Sequence, residues 1–228
     1  MPPEPTILAF DTSAAHCAAA LLLGGRTVAS RHEEMKRGQA ERLFPMLDDI
    51  LGEVGAVWEE LDAIGVGVGP GNFTGIRIAV SAARGLAMSL GVPAIGVSGF
   101  EIARSGAATE LVLLPAPRDQ AYAALWSQSV WSDPMLVDPY QGGRDFCPPN
   151  GTVITGHQAD IVAETSAREA GVSGYRIHKP KAVNPAERIA EVAAKRLASG
   201  HDMPPPAPLY VRPADAAPSS DPPPVILP

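Results

Sequence analysis

The sequence predicts an α/β fold, and three observations carry that expectation. Ala63-Ile64-Gly65-Val66-Gly67-Val68 is an apolar run that breaks at a glycine-rich turn and continues as an Ala-rich segment to Leu90, the pattern of a buried strand, a tight turn and a helix. Pro93-Ala94-Ile95-Gly96-Val97 follows as a second apolar strand, and a strand-helix-strand crossover sets it parallel to the first. The chain opens with three short strands separated by turn residues, which reads as an antiparallel meander. At 228 residues it can bury one large core or two modest ones.

In order, Thr6 to Phe10 is a strand ending in Asp11-Thr12-Ser13, Cys17 to Leu23 a second strand closed by Gly24-Gly25, and Thr27 to Glu33 a third. An acidic strand tip followed by hydroxyls and a hairpin suits a magnesium-phosphate site. Asp11 and Ser13 equally suit hydrogen bonds to their own turn amides. From Gln39 to Val54, Leu43, Phe44, Leu47, Ile50, Leu51 and Val54 form a helical stripe, with Pro45 marking a start or a bend.

The helix expected from Ile76 to Leu90 is apolar nearly all round, with Arg77, Ser81 and Arg84 as its polar edge. Ala79, Ala83 and Ala87 recur every four residues beside Gly85, which lets another helix approach closely. Such a helix serves either a subunit contact or the inside of a large core. The contact reading predicts that Ala83→Glu, by desolvating a charge, abolishes complex formation.

Farther on, Ser98 or Gly99 begins a short helix to Arg104, and Leu111 to Leu114 pairs with Ala121 to Trp126. Trp131 to Pro149 is loop-rich, Thr152 to Thr155 a strand, Gln158 to Ala170 a helix, and Pro185 opens a last helix, Ala186 to Ser199. Prolines dominate after Pro204, so 216–228 is expected to be a mobile tail.

The turn itself, Gly69-Pro70-Gly71-Asn72-Phe73-Thr74-Gly75, permits close backbone approach at its glycines, and Thr74 is the expected helix cap. A helix start here would aim amides at an anion. The nucleotide fingerprints fail, because a Walker A loop needs Lys and then Ser or Thr where Ile76 and Arg77 stand. Two readings stay open: a phosphate or nucleotide contact through Asp11, Thr12, Ser13, Gly69, Gly71, Thr74, Gly75 and Arg77, or a tight turn with no ligand.

Composition narrows the function. A formal charge of −7 argues against a chain that itself grips nucleic acid. Two cysteines, and five histidines without HxxxH or HExxH spacing, argue against a metal site. No signal peptide pattern opens the sequence, so a cytoplasmic location is expected.

The strand with Asp11-Thr12-Ser13, the amphipathic helix, the apolar strand and Gly69 to Ile78 together resemble the TsaB (YeaZ) family. Its hallmark is GPGSFTGLRIG; here Asn72 replaces Ser, Ile76 replaces Leu and Ala79 the closing Gly. Gly85-Leu86-Ala87, Gly91-Val92-Pro93, Gly96-Val97-Ser98 and Pro208-Leu209-Tyr210-Val211-Arg212 match further. The resemblance is strong over residues 6–104. Where family members often read Asp-Ala-Arg followed by Glu-Val-Tyr, this chain has Pro115 to Tyr122, which lacks that Asp and Glu.

The resemblance implies an actin-like (ribonuclease H-like) ATPase fold of two related subdomains, over 1–106 and 107–215, with mixed sheets flanked by helices. It implies a non-catalytic scaffold of tRNA threonylcarbamoyladenosine biosynthesis, required for threonylcarbamoyl transfer to adenosine 37. The scaffold heterodimerises with the catalytic homologue TsaD, the ATPase TsaE joins them, and the chain alone can form a homodimer. tRNA is reached only through the complex, no membrane is involved, no metal is held, and ATP or ADP has a place only at the joint interface. The implied contact helices, 39–54 and 76–90, present Leu43, Phe44, Leu47, Ile50, Leu51, Ile76, Ala79, Val80, Ala83, Leu86, Ala87 and Leu90. The alternative is an ATP-hydrolysing enzyme, or a metal-independent glycoprotease-like hydrolase, acting alone.

Overall fold

The computed structural model describes residues 4–141, 147–171, 173–180, 183–200 and 203–211, so the expected tail at 216–228 lies outside the described residues. Strand β1 (Ile7–Asp11) is buried along its whole length. It sits at the centre of a five-stranded sheet, between β2 (His16–Leu23) and β4 (Ala63–Gly67), with β3 (Arg26–Glu34) and β5 (Ala94–Val97) at the edges. β2 and β3 continue antiparallel from β1, whereas β1, β4 and β5 are parallel, as the crossover requires.

Period-2 alternation gives this sheet two apolar faces. Leu8, Phe10, Cys17, Ala19, Leu21, Ile64 and Val66 face one layer, formed by α1 (Gln39–Val54) and α2 (Phe73–Leu90). α1 starts before Pro45 and runs through it; Pro45 faces solvent, where water can serve the carbonyl that loses its helical donor. α2 starts at Phe73, three residues before the expected position. Its cap is Asn72 and not Thr74: the Asn72 side-chain oxygen accepts from the Gly75 amide at 2.9 Å, and Thr74 lies in the first turn.

α3 (Gly99–Ala103) leads into a second sheet built from β6 (Glu110–Pro115), β7 (Ala121–Ser127), β8 (Val130–Trp131), β10 (Val153–Gly156) and β11 (Arg176–His178). Its order, β11-β10-β6-β7-β8, repeats that of the first sheet: the opening strand is flanked by its antiparallel hairpin partner on one side and parallel strands on the other. The Pro115 to Tyr122 stretch closes the β6–β7 hairpin, the Ala116 amide donating to the Gln120 carbonyl at 2.9 Å, with Arg118 and Asp119 at left-handed φ 62 and 56. The region expected to be loop-rich holds β8 at its start and β9 (Met135–Val137), which pairs with β7; β11 was not expected at all. These strands have two or three residues, too short for alternation to register. α4 (Ala159–Ala170) seats Ala159 and Val162 on Leu111, Leu113 and Ile154 of this sheet.

The subdomain boundary differs from the expected 107–215. Helix α5 (Pro185–Ser199) returns to the first sheet and covers its other face, with Ile189, Ala190 and Ala193 on Ile7, Ala9, Ala63, Ile95 and Val97. Small residues make this close packing possible: a Cβ on Gly65 would stand 2.9 Å from Ile189 Cγ2. The reason is burial, since α1 and α2 cover one face only and the other would lie open to water. The segment 203–211 also returns, the Leu209 amide donating to the Val68 carbonyl at 2.8 Å. No helix among the described residues is long and apolar enough to cross a membrane.

Candidate functional site

Asp11 ends β1 at the carboxyl edge of the first sheet and is buried. Its carboxylate accepts from the Ser13 amide at 3.1 Å and the Ser13 hydroxyl at 3.0 Å, and His16 Nε2 lies 2.8 Å from Oδ2. The third flank is Gly67, where an added Cβ would stand 2.1 Å from Asp11 Oδ1. The hairpin thus satisfies the acid it carries. Sequence reasoning missed His16, although the tight turn from β1 into β2 was the available signal: an antiparallel partner beginning five residues on starts beside the tip of the strand before it.

The glycine turn packs directly onto this tip. Thr12 Oγ1 donates to the Gly75 carbonyl at 2.6 Å, and the Asn72 amide donates to the Ser13 carbonyl at 2.6 Å. A Cβ on Gly71 would meet the Ser13 carbonyl oxygen at 2.2 Å, and one on Gly75 the Thr12 carbonyl oxygen at 1.9 Å. The Gly69 carbonyl accepts from the Gly99 amide at 2.7 Å, tying the turn to α3 as well. Carbonyl oxygens therefore press on Gly71 and Gly75, and these are the wrong end of the peptide dipole for an anion.

The residues expected to share a phosphate fall in three places. Asp11, Thr12, Ser13, Gly69, Gly71 and Gly75 form the packed tip. Thr74 lines a cleft of about 370 Å³ between the starts of α1 and α2, with Lys36, Arg37 and Asn72, and Gly75 borders both this cleft and the tip. Arg77 lies on the far side of α2, its guanidinium 3.8 Å over the Phe73 ring and its Nε donating to Tyr210 Oη at 2.9 Å. Tyr210 in turn stacks on Phe73, so the 203–211 segment is clasped to the start of α2.

Two further groups bear on chemistry. Cys17 faces the core, where burial, with the charges of Glu33 and Asp11 also acting, pushes its thiol up to about 11; it stays protonated and is a poor nucleophile. Among the described residues no group of three or more His, Cys, Asp or Glu side chains is placed to hold a metal ion.

The contact residues divide sharply. Leu43, Leu47, Ile50, Leu51, Ile76, Ala79, Val80, Ala83 and Ala87 are buried within the protomer, packed on the sheet, and none of them can present a surface. This corrects the expected contact set, for the strongest apolar stripe of each helix goes to the sheet beneath it. What the helices offer outward is Phe44, 44% exposed, Met88, 85% exposed, and the partly exposed Ile78, Ala82, Leu86 and Leu90. Gly52 and Gly85 lie in the same two helices, and a Cβ at either would meet nothing within 4 Å.

A meander followed by parallel strands, repeated in two sheets and joined by a helix that returns to the first, defines an actin-like (ribonuclease H-like) fold. Residues 27–126 match the family described as TsaD, tRNA N6-adenosine threonylcarbamoyltransferase. The chain is 41% identical over 101 residues to the tRNA threonylcarbamoyladenosine biosynthesis protein TsaB of Escherichia coli K12, covering 44% of this chain and 43% of that protein. With the Bacillus subtilis protein of the same description it shares 34% identity over 125 residues, 53% of this chain and 55% of that one. The chain thus spans about half the length of the curated relatives it matches. Among solved structures it resembles YeaZ from Pseudomonas aeruginosa, with a TM-score of 0.69 and 29% identity, covering 90% of this chain and 99% of that one. The chain is thus similar to TsaB/YeaZ proteins and, over residues 27–126, to the TsaD family.

Proposed function

We propose that this chain is a scaffold subunit of tRNA threonylcarbamoyladenosine biosynthesis that performs no chemistry itself and docks a TsaD-like catalytic homologue through the outer face of α1 and α2. The observation that carries this reading is that face: Phe44 and Met88 stand exposed beside two helix glycines that no contact within the protomer requires. Glycine in a helix interior costs about 0.5–1 kcal/mol relative to alanine, a cost that close approach of a second helix explains. The closed Asp11 tip supports the other half, since a magnesium-phosphate site needs that carboxylate uncommitted. In this reading a TsaE-like ATPase joins the pair, tRNA is held by the complex, and ATP or ADP binds at the joint interface. Reconstitution tests it: a TsaD-like homologue, a TsaE-like ATPase, tRNA and the threonylcarbamoyl donor are assayed with and without this chain. Modification only in its presence is expected. Equal modification without it, or ATP turnover by this chain alone that Asp11→Asn removes, would overturn the proposal.

A further inference from the structure

The outer face of α1 and α2 is graded in charge from one side to the other. α1 exposes Glu41, Asp48, Asp49 and Glu53. Asp49 shares Arg42, the helix's one basic residue, with Glu33, and Glu53 pairs with Arg31 at 2.8 Å, so Glu41 and Asp48 carry the net negative charge of the margin. α2 carries no acidic residue; its only charges are Arg77 and Arg84, both exposed. No carboxylate of the described residues forms an ion pair with either arginine. The order across the face is fixed by neighbours. Ile78 borders the start of α1, whereas Arg84 and Met88 border Met203 and Pro205 on the opposite side. An acidic margin, an apolar centre at Phe44, Ile78 and Ala82, and a basic margin therefore lie side by side.

Resting on the reading that this face meets a TsaD-like homologue, we infer that the homologue's docking surface is bipolar, with basic side chains over α1 and carboxylates over α2. A surface of one sign would face like charge along one margin, and like charges brought together at an interface oppose both encounter and register. Margin charges act chiefly on association rate and its salt dependence. Lys36 and Arg37 precede α1 at the end nearer Glu41, so Asp48, mid-helix and one turn beyond Phe44, is the probe; its Oδ1 accepts from Trp58 Nε1 at 3.2 Å, a bond that Asp48→Asn can keep and Asp48→Lys cannot.

The test measures association of the full chain with its TsaD-like homologue at 50 mM and 500 mM salt, for wild type, Asp48→Lys and Arg84→Glu. Each reversal is expected to slow association by roughly 3- to 10-fold at low salt, with the difference shrinking at high salt. Asp48→Asn and Arg84→Gln are expected to fall between, and unchanged melting temperatures exclude unfolding as the cause. If one reversal slows association and the other speeds it, the partner surface has one sign and the inference fails. Unchanged rates for both in a complex that still forms also overturn it, and leave the scaffold reading standing. Absence of any wild-type complex sinks that reading and the inference with it. Self-association of this chain, weakened by each reversal and restored on mixing the two variants, would assign the face to a second copy and overturn the stated partner.

Discussion

The glycine turn and the outer helix face both depend on missing side chains, for opposite reasons. At Gly67, Gly71 and Gly75 an added Cβ would strike Asp11, the Ser13 carbonyl or the Thr12 carbonyl at 2.2 Å or less, so the fold itself accounts for the residue type. At Gly52 and Gly85 the same Cβ would meet nothing within 4 Å, so the protomer gives no account of it. Glycines that the protomer needs report on its own packing. Glycines it does not need fit the proposed approach of a neighbour outside it.

That contrast can be broken at several strengths. Ala83→Glu puts a charge into the core beneath α2 and is expected to destabilise the protomer by about 3–5 kcal/mol, whereas the partly exposed Ala82→Glu keeps its fold and loses the partner. Chemical denaturation of both variants checks this, and equal stabilities would contradict the layer assignment. Gly75→Ala forces a backbone carbonyl to move and is expected to cost about 3 kcal/mol, read as a lowered denaturation midpoint.

Glu110 provides an internal control in the second subdomain. Burial alone would push its carboxyl up, but hydrogen bonds from Thr155 Oγ1 and from the Ser105 and Gly106 amides outweigh it and hold the group below the usual carboxylate range. A group depressed on folding contributes stability above its unfolded pKa, and that stability is lost as pH falls through the folded value. Glu110→Gln should therefore cost about 1–3 kcal/mol at pH 7 and flatten the acid limb of the stability profile below about pH 4.5. An unchanged limb would show that the carboxylate is not what fastens Thr155 to the α3–β6 link.

The smallest effect is the sharpest on the comparison. Gly85→Ala is expected to stabilise the isolated protomer by about 0.5–1 kcal/mol while weakening the complex, seen as a raised melting temperature beside a faster dissociation rate. A variant that gained stability and bound as before would remove the argument from close helix approach.

Much of this was legible in advance. The meander, both crossover strands, α1 and the turn before α2 follow from alternation, a helical stripe and glycine spacing, all local signals carried by runs of four residues or more. The TsaB/YeaZ resemblance rests on the same stretch. The Asn72 cap was legible too but was given to Thr74, because two capping residues stand within three positions and only the backbone at the helix start separates them. The short strands β8, β9 and β11 gave no periodic signal.

What the residues determined alone is the set of elements and the kind of surface each carries, because a strand or helix of given pattern must bury its apolar side somewhere. Which side goes to which neighbour was decided only in three dimensions. The stripe from Leu43 to Leu51 and the alanines of α2 turned inward because a sheet lay beneath them, and α5 crossed back to the first subdomain because its second face was open. Asp11 met His16 through a hairpin, and Arg77 met Tyr210 across 133 positions of chain. Long-range pairing of this kind depends on the closure of the whole sheet, which no local window of sequence contains.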